Sequence, residues 1–168
     1  MSQNEDGESS SSEEIPVPLM LYSATVPKEW VDYNGHMSEW CYLLVMGNSS
    51  DAFFRYIGID DGYRTSGSSL FTVETHIRNL HEVSLGERLT LRLRVLESDA
   101  KRVHLVHEIA NAENALVATG EQMLIHVDTK AGRASVMPDH IQSRVREIAD
   151  AHGKMPWPYW VGHVMHIN

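Results

Sequence analysis

One segment limits the possible folds of this chain more than any other. Between Trp40 and Phe54 the residues Trp40, Leu43, Leu44, Gly47, Ala52, Phe53 and Phe54 give a helical pattern that is apolar on most sides. Such a helix has to be buried rather than laid along a surface. Ser38 is placed to cap its start and Gly58 to stop it. Ahead of it stands one short strand pattern, residues 21–26, in which Leu21, Ser23 and Thr25 alternate with Tyr22, Ala24 and Val26 until Pro27 ends the run.

Four strand patterns follow the helix. In the first, Phe71, Val73, Thr75 and Ile77 alternate with Thr72, Glu74, His76 and Arg78; in the second, Leu89, Leu91, Leu93 and Val95 alternate with Thr90, Arg92 and Arg94. Each therefore has one apolar face. The third runs from Arg102 to Ala110 after turn residues 98–101, and the fourth from Leu116 to Asp128 after a turn at 111–114, so antiparallel hairpins are expected. Residues 62–69, rich in hydroxyl side chains and holding Gly67, read as a surface loop. Pro138 opens a polar helix through about His152, and the tail Pro156-Trp157-Pro158-Tyr159-Trp160 is expected to pack back on the domain. One apolar helix and a meander of strands can bury each other only if the sheet curls round the helix. The expected fold class is therefore α+β, a single domain with a curled antiparallel sheet wrapped around a long central helix. Such a sheet alone leaves edge strands in water, so a homo-oligomer is expected, a dimer or a dimer of dimers.

At 168 residues and 42% hydrophobic content the chain holds one core. Residues 1–14 carry five acids, no base and a run from Ser9 to Ser12, and are expected to form a disordered tail ahead of a domain over 15–168. Taking those acids from the formal −9 leaves −4, an ordinary value that does not suit a nucleic-acid partner. The single Cys41 excludes an internal disulfide framework and reads as a small buried apolar residue in a reducing compartment. No signal-like apolar core or bilayer-length run is present, so a cytoplasmic protein without membrane contact is expected. Among the ten histidines, His104 and His107 lie three apart on a strand and should face opposite ways, and His163 and His166 lack an acidic or Cys neighbour, so no metal site is expected.

The chemistry concentrates in Trp30-Val31-Asp32-Tyr33-Asn34-Gly35-His36-Met37, just before the helix pattern. Asn34 and Gly35 suit a loop with positive φ, and the loop delivers one carboxylate to a helix N-terminus, where unpaired N–H groups and the helix dipole favour a developing oxyanion. Asp32 is either a carboxylate for water activation or a cap on the Asn34-Gly35 turn. The backbone N–H near Glu39 is the expected oxyanion donor. His36 is either a positioning or proton-shuttling group or one that holds the turn. Glu74 shares the polar face of its strand with His76 and Arg78 and either orients water or is simply solvated.

These blocks together resemble a known family. Asp-x-x-Gly-His-Met ahead of a buried helix, then a strand Phe71-Thr72-Val73-Glu74-Thr75-His76-Ile77-Arg78, is similar to the hot-dog acyl-CoA thioesterases over about residues 21–133. Within them it most resembles the betainyl-CoA thioesterases of carnitine breakdown, through Val31 to Met37, Val73 to Arg78, Ala118 to Met123 and His126 to Thr129. Two departures fall beside the acyl site: Ser38 stands where the family more often has Asn, and Trp40-Cys41 where it usually has Ala-Tyr. The resemblance implies a hot-dog fold and hydrolysis of a small acyl-CoA, with betainyl-CoA giving glycine betaine and coenzyme A. No cofactor is implied, coenzyme A being part of the substrate.

By the resemblance Asp32 is the catalytic carboxylate, either general base or nucleophile. A quaternary ammonium would be read by aromatic rings, and Trp30, Tyr33, Trp40 and Tyr42 bracket the loop as a candidate cage. Coenzyme A phosphates need bases, for which Arg78, Arg92 and Arg94 are the candidates, although the last two could equally be solubilising charges. Three other functions compete: a thioesterase for another short or aromatic acyl-CoA, a hydratase, and a non-catalytic acyl-CoA binder. A hydratase loop calls for Asp and His five apart, whereas Asp32 and His36 are four apart.

Overall fold

The computed structural model describes residues 14–167, so that the acidic tail, apart from Glu14, lies outside the described residues. Strand β1 (Leu19–Thr25) leads through Pro27 and a 3₁₀ turn (Lys28–Trp30) to helix α1 (Glu39–Tyr56). Helix α2 (Asp61–Ser66), strands β2 (Ser68–Asn79), β3 (Arg88–Ser98), β4 (Arg102–Ala110), β5 (Leu116–Asp128) and β6 (Arg133–Ala134), and helix α3 (Asp139–His152) follow. The sheet order is β1-β3-β4-β5-β2 with β6 on β5, and all pairs are antiparallel. This is the hot-dog arrangement: three strands form the expected meander, and β2, which comes straight after the helices, crosses over to close the β5 side.

Alternation along β3 decides what α1 meets. Leu89, Leu91, Leu93 and Val95 are all fully buried. The first half of α1 packs Cys41, Tyr42, Val45 and Met46 against Leu89, Leu91, Ile109 and Val117, and its last turns pack Phe53 and Ile57 with Leu93, Leu105 and Leu124. Helix α3 joins the second cluster through Ile141, Val145 and Ile148. On the opposite side Leu96 and Val106 receive Trp160, so the tail packs back as the sequence suggests. Cys41 is buried and unpaired, and burial pushes its thiol pKa up.

Three features differ from the sequence expectations. Helix α1 is not buried all round: Trp40, Leu43 and Leu44 lie on an open face. The supposed loop at 62–69 is largely helix, because the Asp60 carboxylate accepts from Tyr63 N at 2.8 Å to start α2 and Gly67 in the left-handed region ends it. The apolar face of β2 is not covered either, Phe71 being 51% and Val73 59% exposed beside a register shift between Thr72 and Glu74. Ser38 does occupy the N-cap position, yet its side chain makes no capping bond.

Candidate active site

The motif folds as a tight hairpin. Val31 and Met37 bridge, Asp32 N–H donates to the His36 carbonyl and Gly35 N–H to the Asp32 carbonyl, both at 3.0 Å. Gly35 sits at φ +83°, a left-handed position that closes a turn of this length and strains any side chain. The Asp32 Oδ1 accepts from Asn34 N–H at 2.8 Å. One oxygen of Asp32 therefore caps the turn, as one of its two readings expects, and the other has no partner among the described residues.

The hairpin is anchored at both ends. Met37 N–H donates to the Val83 carbonyl and Ser38 N–H to the Trp30 carbonyl, each at 2.7 Å, and His36 bridges to Ser84. The His36 Nε2 approaches the Glu82 carboxylate at 3.3 Å. Because Ser38 leaves the cap unfilled, the first N–H groups of α1, those of Glu39 and Trp40, have no acceptor among the described residues. Of these two residues, Glu39 lines the same cleft as Asp32.

An open cleft of about 320 Å³ brings Asp32, Asn34, His36, Met37, Glu39 and Tyr42 together with Asn79, Leu80, His81 and Glu82. The second group comes from the end of β2 and the segment after it, which sequence reasoning missed. Its only sequence signal was a polar His81-Glu82 pair directly after a strand pattern. Tyr42 is 4% exposed, and burial, followed by the charges of Glu87, Cys41 and Glu82, raises its hydroxyl pKa.

The other expected site residues do not reach this cleft within one chain. Tyr33 points into solvent at 96% exposure, Trp40 lies on the open face of α1, and Trp30 packs against the core, so the four aromatic residues form no cage. Glu74 lines a different cleft, of about 590 Å³, with His76, His104, Glu121 and the tail residues Gly162 to Met165. Arg92 pairs with Asn114. Arg94 is a correction: far from being a solvated cation for phosphate, it is buried and donates to the carbonyls of Met155 and Pro156 at 3.1 Å and of His152 at 3.5 Å. The Met155 and Pro156 carbonyls belong to the tail just past α3, and that of His152 is the last of the helix, where the dipole favours a cation. Arg78 is half-buried on β2, one residue before the cleft segment.

His104 and His107 face opposite ways, as their spacing on β4 requires. His104 sits between Glu121 at 2.8 Å and Glu97 at 3.4 Å. His107 is buried under α1 with Ser50 at 3.2 Å and Gln122 at 3.1 Å, and burial lowers its pKa to about 4.

Residues 26–145 match the family model described as the thioesterase-like superfamily. The chain belongs to that superfamily. It is 40% identical over 149 residues to a betainyl-CoA thioesterase of Pseudomonas aeruginosa, covering 88% of this chain and 94% of that one. It is also 49% identical over 140 residues to an L-carnitine dehydrogenase/betainyl-CoA thioesterase of Agrobacterium fabrum, covering 83% of this chain but 29% of that one. The chain thus spans less than a third of the length of the two-activity relatives it matches. Among solved structures, a hypothetical protein from Staphylococcus aureus in complex with CoA superposes with a TM-score of 0.84 at 25% identity, over 93% of this chain and all of that one. The matched region contains the hairpin, α1 and the whole Asp32 cleft.

Proposed function

We propose that this protein is a thioester hydrolase that cleaves betainyl-CoA to glycine betaine and coenzyme A. The observation that carries the reading is Asp32, presented on a hydrogen-bonded hairpin with one oxygen tied to Asn34 and the other without a partner among the described residues, in a cleft also lined by Glu39, the first residue of α1. The thioester carbonyl would lie between these groups. The free Asp32 oxygen then either takes a proton from water as it attacks, or attacks the carbonyl carbon to give an anhydride that water opens. In both routes the N–H groups of Glu39 and Trp40 hold the oxyanion, the C–S bond breaks, and coenzyme A leaves as the thiol. The relatives named as betainyl-CoA thioesterases support the acyl group.

On this reading no cofactor is needed. The active form is a homodimer or a dimer of dimers, because β2 is an edge strand whose Phe71 and Val73 stand in water in a single chain. Among the described residues no helix is long and apolar enough to cross a membrane. A cytoplasmic setting suits the single buried thiol.

The deciding experiment is thiol release from betainyl-CoA, isobutyryl-CoA and 4-hydroxybenzoyl-CoA by the wild type and Asp32→Asn. Preferential release from betainyl-CoA that disappears in the variant supports the reading. Equal release from all three leaves a thioesterase of different specificity, and binding of coenzyme A without release leaves a carrier.

A further inference from the structure

The Asp32 cleft has an unusual charge for a site that handles an anionic ligand. Its lining holds three carboxylates, Asp32, Glu39 and Glu82, and neither lysine nor arginine. A second feature points into the same space. Tyr42 is almost wholly buried among Met37, Cys41 and Val83, lines the cleft, and makes no hydrogen bond through its hydroxyl among the described residues. An aromatic ring flanked by negative charge favours a cationic acyl group over a neutral one of the same shape and disfavours an acidic one.

The chemistry of catalysis sharpens the point. Attack on a thioester builds negative charge on the carbonyl oxygen, and three nearby carboxylates oppose it. The N-terminus of α1 offsets part of this. An acyl group that brings its own permanent cation next to the carbonyl offsets more, and it gains most where charge develops, in the transition state. A quaternary ammonium has no N–H to donate. It is therefore held by field and by ring or lone-pair contact rather than by a salt bridge, which fits carboxylates that stay partly hydrated, Glu82 being mostly exposed.

We propose that Glu39, Glu82 and Tyr42 make the Asp32 cleft selective for an acyl group carrying a fixed positive charge. This rests on the thioesterase reading above and assigns its specificity to carboxylates and one tyrosine, in place of the four-ring cage that the chain does not assemble. The two glutamates act on the charge of the acyl group; Asp32 remains the reacting carboxylate.

The test compares betainyl-CoA with tert-butylacetyl-CoA, its neutral isostere, in which carbon replaces the quaternary nitrogen. The readout is the ratio of the two kcat/KM values, because Glu82 also contacts His36 and either absolute rate can move for that reason. The wild type is expected to favour betainyl-CoA at least tenfold. Glu39→Gln and Glu82→Gln should each lower the ratio about threefold to fivefold, and the double variant about tenfold, consistent with partly screened charges. Tyr42→Phe, which keeps the ring, should lower it less than Tyr42→Leu, and Glu82→Asp should restore most of it. Raising the salt concentration should shrink the wild-type ratio toward that of the double variant.

A wild-type preference that survives in the folded double variant overturns the proposal and leaves the thioesterase intact. Equal cleavage of the two substrates by the wild type overturns it as well. Failure to cleave either substrate removes the thioesterase reading and this inference with it.

Discussion

At the scale of single residues, the reactive geometry depends on a turn of four residues. Asp32 has no ion partner among the described residues and is held by its own loop, so its direction is set by Asn34 N–H and by the left-handed Gly35. Asp32→Asn keeps the turn bond and removes the base or nucleophile; thiol release should fall by a factor of 10² to 10⁴ with an unchanged melting curve. Gly35→Ala meets no neighbouring atom, so its cost is conformational alone, about 1–2 kcal/mol. It should lower kcat through a displaced Asp32 while coenzyme A still binds, which steady-state kinetics with product inhibition would show. The Asp32 hairpin was readable from residue types because Asn-Gly and a preceding Asp have local conformational preferences. Glu82 and His81 were not, since nothing local joins residue 36 to residue 82.

At the scale of elements, polar groups inside the fold fix how α1 and α3 sit on the sheet. His107 joins β4 to Ser50 of α1 and Gln122 of β5, and it is neutral because burial lowers its pKa to about 4. His152 receives the Val95 N–H on Nδ1 at 2.9 Å and donates from Nε2 to the Pro16 carbonyl at 3.0 Å, an arrangement open only to the neutral ring. The pKa values of His152 and His126 are likewise lowered by burial. Unfolded histidines take up a proton near pH 6.5 that these native sites refuse. Stability is thus complete above that pH and declines as the pH falls toward 4, by up to about 3 kcal/mol for His107 alone. Urea unfolding between pH 7.5 and 4.5 should show this loss, and His107→Gln should flatten the slope. The third and fourth strand patterns, 102–110 and 116–128, coincide with β4 and β5, and Pro138 does open α3, since strict alternation and a helix-opening proline are local signals. Arg94 was misread for the opposite reason. Its alternation places it on the face of β3 away from α1, but only α3 and the tail, arriving some sixty residues later, turn that position into a buried one.

At the scale of the whole molecule, one chain leaves a stretch of apolar surface open among its described residues. Trp40, Leu43 and Leu44 on α1 and Phe71 and Val73 on β2 are all exposed, and β2 has an unpaired edge. Pairing of two copies through β2 would cover both the edge and the apolar side chains. Val73→Lys places a charge on that surface and should shift the protein to monomer in sedimentation velocity, with activity lost in parallel and the far-ultraviolet circular dichroism retained. An unchanged oligomer would mean that a different face pairs.

The existence of β1 to β5, α1 and α3 and the form of the Asp32 turn follow from periodicity and from the backbone preferences of Asn, Gly and Pro, which act over a few residues, whereas α2 and the choice of which side of α1 is buried do not. The family resemblance was legible for the same reason, because its motifs are contiguous. The partners of Asp32 in the cleft, the neutral buried histidines, the capture of Arg94 and the dispersal of the four aromatic residues all arise between residues far apart in the chain. They depend on the crossover that brings β2 beside β5 and on the register that each bulge resets, and no local pattern encodes either.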